Sequence, residues 1–175
     1  MLGKLFQKVG GWQNQSTGDG WQTFFSKGPY SGANENWAHF INTSSRYTHF
    51  ILNAGGARSN LDSPGNAFEP NKWYHTAATY DGEMRRIYIN GKEVANGALS
   101  GKLVPNDNWL GIGFREASTH YWKGMLDDMA VFKTALSAKE VVDIMENGLD
   151  KVLSLTAVSP KDKLALTWGK IKVVK

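Results

Sequence analysis

Two turn signals constrain this chain more than anything else in it: Asp81-Gly82 and Asn90-Gly91. Asp-Gly and Asn-Gly pairs supply the positive φ angles that tight hairpin turns need. Between them Arg85-Arg86-Ile87-Tyr88-Ile89 alternates, with Ile87 and Ile89 on one face and Arg86 and Tyr88 on the other. A period of two is that of a strand with one side buried and the other in water. The centre of the chain is therefore antiparallel β-structure.

The same reading extends outwards. Strands are predicted at Thr23–Ser26, Trp37–Ile41, Tyr47–Leu52, Trp73–Tyr80, Trp109–Phe114 and Gly124–Phe132, separated by glycine-rich or polar turns. Short strands at this spacing indicate an all-β antiparallel sandwich or barrel. One short helix interrupts the pattern near residues 137–147. Ser137 and Glu140 form a capping box, Val141, Val142, Ile144 and Met145 make an apolar stripe, and Asn147-Gly148 is a stop signal. Residues 1–150 form the domain. Residues 151–175 are a basic tail with β-prone stretches at Val152–Ser159 and Leu164–Val174.

Cysteine is absent, so burial must hold the fold, and a chain of 175 residues with 41% hydrophobic content can supply it. No run approaches the ~18 apolar residues of a membrane helix. The lysines in Met1–Lys8 have no apolar stretch behind them, so no signal peptide is read in this chain. The charge is uneven: residues 1–150 hold 14 Lys and Arg against 15 Asp and Glu, and the tail holds six lysines against Asp162. Basicity belongs to the tail, whose lysines interleave with Leu164, Leu166, Trp168, Ile171 and Val173 as on a half-solvated strand. The body therefore lacks the basic footprint of a nucleic-acid binder.

A run of segments in fixed order carries a family resemblance: Trp73-Tyr-His-Thr-Ala-Ala-Thr-Tyr-Asp-Gly82, Ile87-Tyr-Ile-Asn-Gly-Lys-Glu-Val94, Leu110-Gly-Ile-Gly113, Gly124-Met-Leu-Asp-Asp-Met-Ala-Val-Phe132 and Thr134-Ala-Leu-Ser-Ala-Lys-Glu-Val141. The series resembles the laminin-G-like, concanavalin A-type jelly-roll domains of bacterial surface and secreted proteins, relatives of pentraxins, lectins and glucanases. The resemblance covers about residues 23–148. It implies a two-sheet antiparallel jelly-roll sandwich and an extracellular or cell-surface setting. It also implies a further N-terminal strand that this chain begins too late to hold, so that the chain is a fragment or the tail fills the place.

Catalysis finds little support. Glucanases of this fold carry carboxylates alternating along one strand, and retaining glycosidases need two carboxyls about 5–5.5 Å apart. Asp127 and Asp128 are adjacent, which on a regular strand sends them to opposite faces, and Glu83 has no partner at strand spacing. Gly97-Ala-Leu-Ser-Gly101 is not a nucleophile elbow, and Gly111-Ile-Gly113 reads as a strand whose glycines allow close packing. His39, His49, His75 and His120 show no metal-binding spacing and read as partly buried sheet residues. The resemblance implies one structural Ca²⁺, with Asp127 at the matching acidic position; hard oxygen ligands suit that ion.

The aromatic residues point to binding. Trp73 and Phe132 are expected in the core, but the chain has more tryptophan and tyrosine than a core needs, and rings beside polar groups suit sugars. Tyr47 and His49 share one face; Arg86 and Tyr88 share another; the loop Arg115–Trp122 ends in His120, Tyr121 and Trp122; and Trp37 follows a polar stretch. These eight residues, Trp37, Tyr47, His49, Arg86, Tyr88, His120, Tyr121 and Trp122, are the candidate ligand contacts. The expected function is a non-catalytic module recognising carbohydrate or glycoprotein. The alternative is a protein-interaction or spacer domain of a larger surface protein, and a glycoside hydrolase comes third.

Overall fold

The computed structural model describes residues 7–15, 20–28, 35–103, 106–115 and 120–155. Among these residues ten strands make two five-stranded antiparallel sheets. The strands are β1 (Gln7–Gln15), β2 (Trp21–Lys27), β3 (Trp37–Asn42), β4 (Tyr47–Ala54), β5 (Ala57–Asp62), β6 (Trp73–Tyr80), β7 (Met84–Ile89), β8 (Lys92–Ala98), β9 (Leu110–Ile112) and β10 (Gly124–Phe132). The first sheet runs β10-β1-β6-β7-β8 and the second β5-β4-β3-β2-β9. The helix α1 (Ala138–Leu155) follows. This is the jelly-roll sandwich expected from the sequence.

The turns behave as their residues dictate. Asn90 and Gly91 have φ of 48° and 76°, so both residues of the β7–β8 turn take the left-handed conformation that a tight hairpin requires. At the β6–β7 turn, Asp81 Oδ1 accepts from the backbone N–H of Glu83 (3.0 Å) and Met84 (2.7 Å).

The core lies between the sheets. Phe24, Phe25, Trp37, Ile41, Phe50 and Leu52 of the second sheet meet Ala78, Tyr80, Ile87 and Ile89 of the first. Phe24 and Phe25 both point inwards because β2 slips register against β3 between Thr23 and Phe25. Tyr74 packs inwards, leaving Trp73 42% exposed, which corrects the expectation that Trp73 is core. Phe132 is buried, against α1 rather than between the sheets.

The outer face of the first sheet is covered by α1. Val141 packs on Ala77 and Tyr88, and Ile144, Leu149 and Val152 pack on Ala130 and Phe132. The face opposite Ile87 and Ile89, expected to be wet, is therefore buried at Tyr88. The helix begins as its sequence implies: Ser137 N–H donates to Glu140 Oε2 (2.7 Å) and Glu140 N–H donates back to Ser137 Oγ (3.3 Å). Its regular path breaks at Gly148, with φ 76° and ψ 161°, at the predicted stop. The chain then re-enters helix as far as Leu155, so Val152–Leu155, expected as strand, is helical; Leu149 and Val152 gain a buried apolar cluster that a strand there would forgo. The remainder of that expected strand, and Leu164–Val174, lie outside the described residues.

Three strands were given no range by the sequence reading: β8, implied there only as the second arm of the Asn90-Gly91 hairpin, and β1 and β5. β5 is a polar edge strand, and β1 carries Gly10-Gly11 in its middle. β1 takes the place between β10 and β6, so no tail strand is needed there. Its register against β10 slips between Gly10 and Trp12, and a Cβ on Gly11 would lie 2.5 Å from Met129 Sδ and 3.0 Å from Asp127 O. Opposite the slip, Asp128 has φ 49°, so the adjacency of Asp127 and Asp128 no longer assigns them to opposite faces.

Gly111 in β9 is as tightly seated as its sequence context suggested. A Cβ there would lie 2.6 Å from Phe114 O and 2.9 Å from Ser26 Oγ. Gly111→Ala is expected to destabilise the fold by about 1–3 kcal/mol through overpacking against backbone. Urea unfolding checks this: the midpoint falls while the m-value stays unchanged.

Candidate functional site

The outer face of the second sheet is built differently. Alternation along β3 and β4 sends Ala38 and Phe40, then His49 and Ile51, away from the inter-sheet core. Trp21 at the start of β2 packs against Ala38, Phe40 and Ile51. After β9, Arg115 and His120 lie against Phe40, and backbone bonds tie their neighbourhoods to β2 and to each other. Gly113 N–H donates to Phe24 O (3.0 Å), Thr23 N–H to His120 O (3.0 Å) and Trp122 N–H to Gly113 O (2.8 Å). Lys123 N–H donates to the buried Gln22 Oε1 (2.9 Å). The result is a cleft of about 370 Å³ lined by Trp21, Phe40, His49, Ile51, Arg58, Arg115 and His120.

Its walls are aromatic and its polar groups are cationic or imidazole. Trp21 meets Tyr47 edge-on at 5.7 Å and His49 at 5.0 Å between ring centroids. The Arg115 guanidinium sits 4.5 Å over the Phe40 ring. Behind it lies Glu35, fully buried, whose two carboxylate oxygens are each held by an arginine: Arg115 Nη2 on Oε1 and Arg58 Nε on Oε2, the latter at 3.0 Å. The Arg115 side chain is buried, whereas that of Arg58 is 34% exposed.

The histidines are kept neutral. Burial lowers the pKa of His49, against the opposing pull of Asp62, to which its Nδ1 is bonded. With Nδ1–H donating to that carboxylate, the neutral ring presents Nε2 as an acceptor. His120 is likewise lowered, first by burial and then by Arg115. No carboxylate lines the cleft among the described residues, and Glu35 is sealed behind the arginines. The paired, ligand-facing carboxylates of a glycosidase are not assembled by these residues.

The structure sorts the eight predicted contacts. His49 and His120 line the cleft, Tyr47 flanks it through Trp21, and Tyr121 stands exposed beside His120. Trp37 is a correction: it is 1% exposed, packed between the sheets with Phe25. Trp122 is another, since its ring lies 4.7 Å from Phe24 and packs on the core. Arg86 and Tyr88 belong to the opposite sheet. Tyr88 is buried under α1, and Arg86 pairs with Asp81 (2.7 Å) and Glu93 (3.7 Å).

Sequence reading missed Trp21, Phe40, Arg58 and Glu35, and took Arg115 only as part of a rim loop. Trp21 and Phe40 sit in strands where any aromatic looks like core. The arginines and Glu35 are brought together from β5, the loop before β3 and the loop after β9, and no local pattern records that.

Asp127 is the position expected to hold Ca²⁺. Its Oδ1 accepts the N–H of Asp128 at 2.9 Å. Among the described residues no three acidic or histidine side chains converge as a metal's donor set does. A Ca²⁺ ion takes six to eight oxygens, and no such set of acidic side chains is gathered around Asp127 among the described residues.

Comparison with known proteins agrees with this fold. Mouse pappalysin-1 is 29% identical over 164 residues, covering 85% of this chain, which spans only 10% of that protein's length. The CBM40 module of a Ruminococcus gnavus IT-sialidase, solved with α2,3-sialyllactose, superposes with a TM-score of 0.66 at 18% identity over 81% of this chain and 83% of that one. Domains LG4-5 of mouse laminin α1 give 0.59 at 14% identity, over 73% of this chain and 35% of theirs. A laminin G-type family profile matches residues 10–142. With that match spanning both sheets and the start of the helix, the chain belongs to the concanavalin A-like lectin/glucanases superfamily.

Proposed function

We propose that this domain is a non-catalytic carbohydrate-binding module and that the cleft between Trp21 and Arg115 is its glycan site. One observation carries the reading: a preformed cleft of about 370 Å³ sets the Trp21 and Phe40 rings beside two arginines and two neutral imidazoles. Ligand pockets combine an apolar floor with a few placed polar groups in this way. Sugar rings stack their C–H faces on aromatics while their hydroxyls meet donors and acceptors at the edge. The lining holds no described carboxylate to act as acid or nucleophile, which supports binding without turnover. An extracellular or cell-surface setting, as the family resemblance implies, goes with such a role.

The test is a thermal-shift screen against an oligosaccharide panel, with and without Ca²⁺. A ligand at a hundredfold excess over its Kd stabilises the native state by about 2.7 kcal/mol. Trp21→Ala is expected to abolish the shift while its circular dichroism stays native. No shift with any sugar overturns the proposal. Calcium at Asp127 is decided by the same screen: a Ca²⁺-dependent rise in melting temperature, lost in Asp127→Ala, would place the ion there.

A further inference from the structure

We infer that the ligand of this cleft is an acidic glycan, with Arg58 as the group that contacts its anionic substituent. The inference rests on the reading of the cleft as a glycan site and adds the charge of the ligand. The described lining contains two guanidinium groups and two imidazoles but no carboxylate. The charges nearby are unequal in what they show to a ligand. Glu35 is wholly buried, with each oxygen on an arginine; Asp62 is directed at His49 and does not line the cleft. Arg58 lines the cleft with a third of its side chain in solvent. Asp62, whose side chain is 43% exposed, sits outside that lining, so among the described lining residues the charge that reaches solvent is the Arg58 cation.

The geometry also separates the roles of the two arginines. Arg115 is buried, has its guanidinium carbon 4.5 Å from the Phe40 ring centroid and is held by Glu35. It is a positioning residue, closing the cleft floor and fixing the carboxylate that in turn holds Arg58. Arg58 is anchored to that carboxylate through Nε, at the inner end of its guanidinium. Its planar fork matches a carboxylate or a sulfate ester, both of which sugars carry. A ligand anion here would complete an alternating row of Arg115, Glu35, Arg58 and anion.

The experiment is isothermal titration with matched oligosaccharide pairs: sialyllactose and lactose, a uronic-acid-terminated oligosaccharide and its carboxyl-reduced form, a sulfated sugar and its unsulfated parent. At least one acidic member is expected to bind tenfold or more tightly than its neutral partner, as a charge-assisted contact requires. Raising the salt from 0.05 to 0.5 M should narrow that ratio, since a partly exposed pair is screened. Arg58→Ala should bring the ratio towards one and Arg58→Lys should restore part of it, with melting temperatures confirming that both variants fold. Which pair responds tells carboxylate from sulfate. Neutral sugars binding as tightly as acidic ones, or a ratio unmoved by Arg58→Ala, overturns the inference and leaves the glycan site standing. Binding of neither class overturns both.

Discussion

Lowering the pH from 7 to 5 is expected to cost this fold about 4 kcal/mol, with His39 and His75 responsible for about 2 kcal/mol each. His39 lies in the core at 1% exposure, stacked on Phe24, and burial brings its pKa down to about 3. Its Nε2 meets Thr48 Oγ1 at 2.5 Å, and that hydroxyl donates onwards to Phe40 O at 2.9 Å. The imidazole is therefore the donor, neutral, with its proton on Nε2. His75, 3% exposed on β6, is lowered by burial to about 4. A histidine whose folded pKa lies below its unfolded value stabilises the fold fully above about 6.5. That contribution is lost as pH falls from there towards the folded value, because the unfolded chain takes up the proton first. Both windows open near pH 6.5, and His49 and His120, also lowered, act in the same direction. Urea unfolding at pH 7 and 5 checks the magnitude, and His39→Gln should remove about half the pH dependence. A stability that is flat or rising towards pH 5 would contradict the burial of these rings.

Arg115→Met is expected to destabilise the protein by about 3–5 kcal/mol, the range for stripping one partner from a buried ion pair. Glu35 has no exposed surface on which to recover hydration, and Arg115 is 4% exposed. The substitution leaves that carboxylate with Arg58 as its remaining arginine and removes the cation over Phe40. Replacing Glu35 by leucine in the same chain should cancel much of the loss, because the stranded charge goes with it. The double-mutant cycle is the measurement: the pair should cost clearly less than the two single changes added. Additive losses would mean that the Arg115–Glu35 contact is not energetically coupled.

The sequence made legible whatever local chemistry decides. Asn90-Gly91 predicts its own dihedral angles, Ser137 and Glu140 predict their reciprocal cap, and the alternation through Ile87 and Ile89 predicts the face that meets the core. It was weaker where a third layer changes the environment: Tyr88 looks solvent-facing until α1 is laid over it. β1 and β5 were illegible because neither alternates in polarity; one carries paired glycines at a register slip and the other is a polar edge. The cleft was half legible. His49 and His120 are polar rings beside aromatics and stand out in strand and loop. The Arg58–Glu35–Arg115 row joins three segments far apart in sequence, and only the jelly-roll winding brings them together.

On the reading proposed above, the outer face of the second sheet, and not the helix-covered face of the first, receives a glycan. Amide chemical-shift mapping during titration with the tightest-binding oligosaccharide tests it most directly. Perturbations are expected to centre on Trp21, Phe40, His49, Arg58, Arg115 and His120, with Arg86 and Tyr88 silent. Perturbations centred on Arg86, Tyr88 or Trp73 would place the ligand on the other sheet and contradict it.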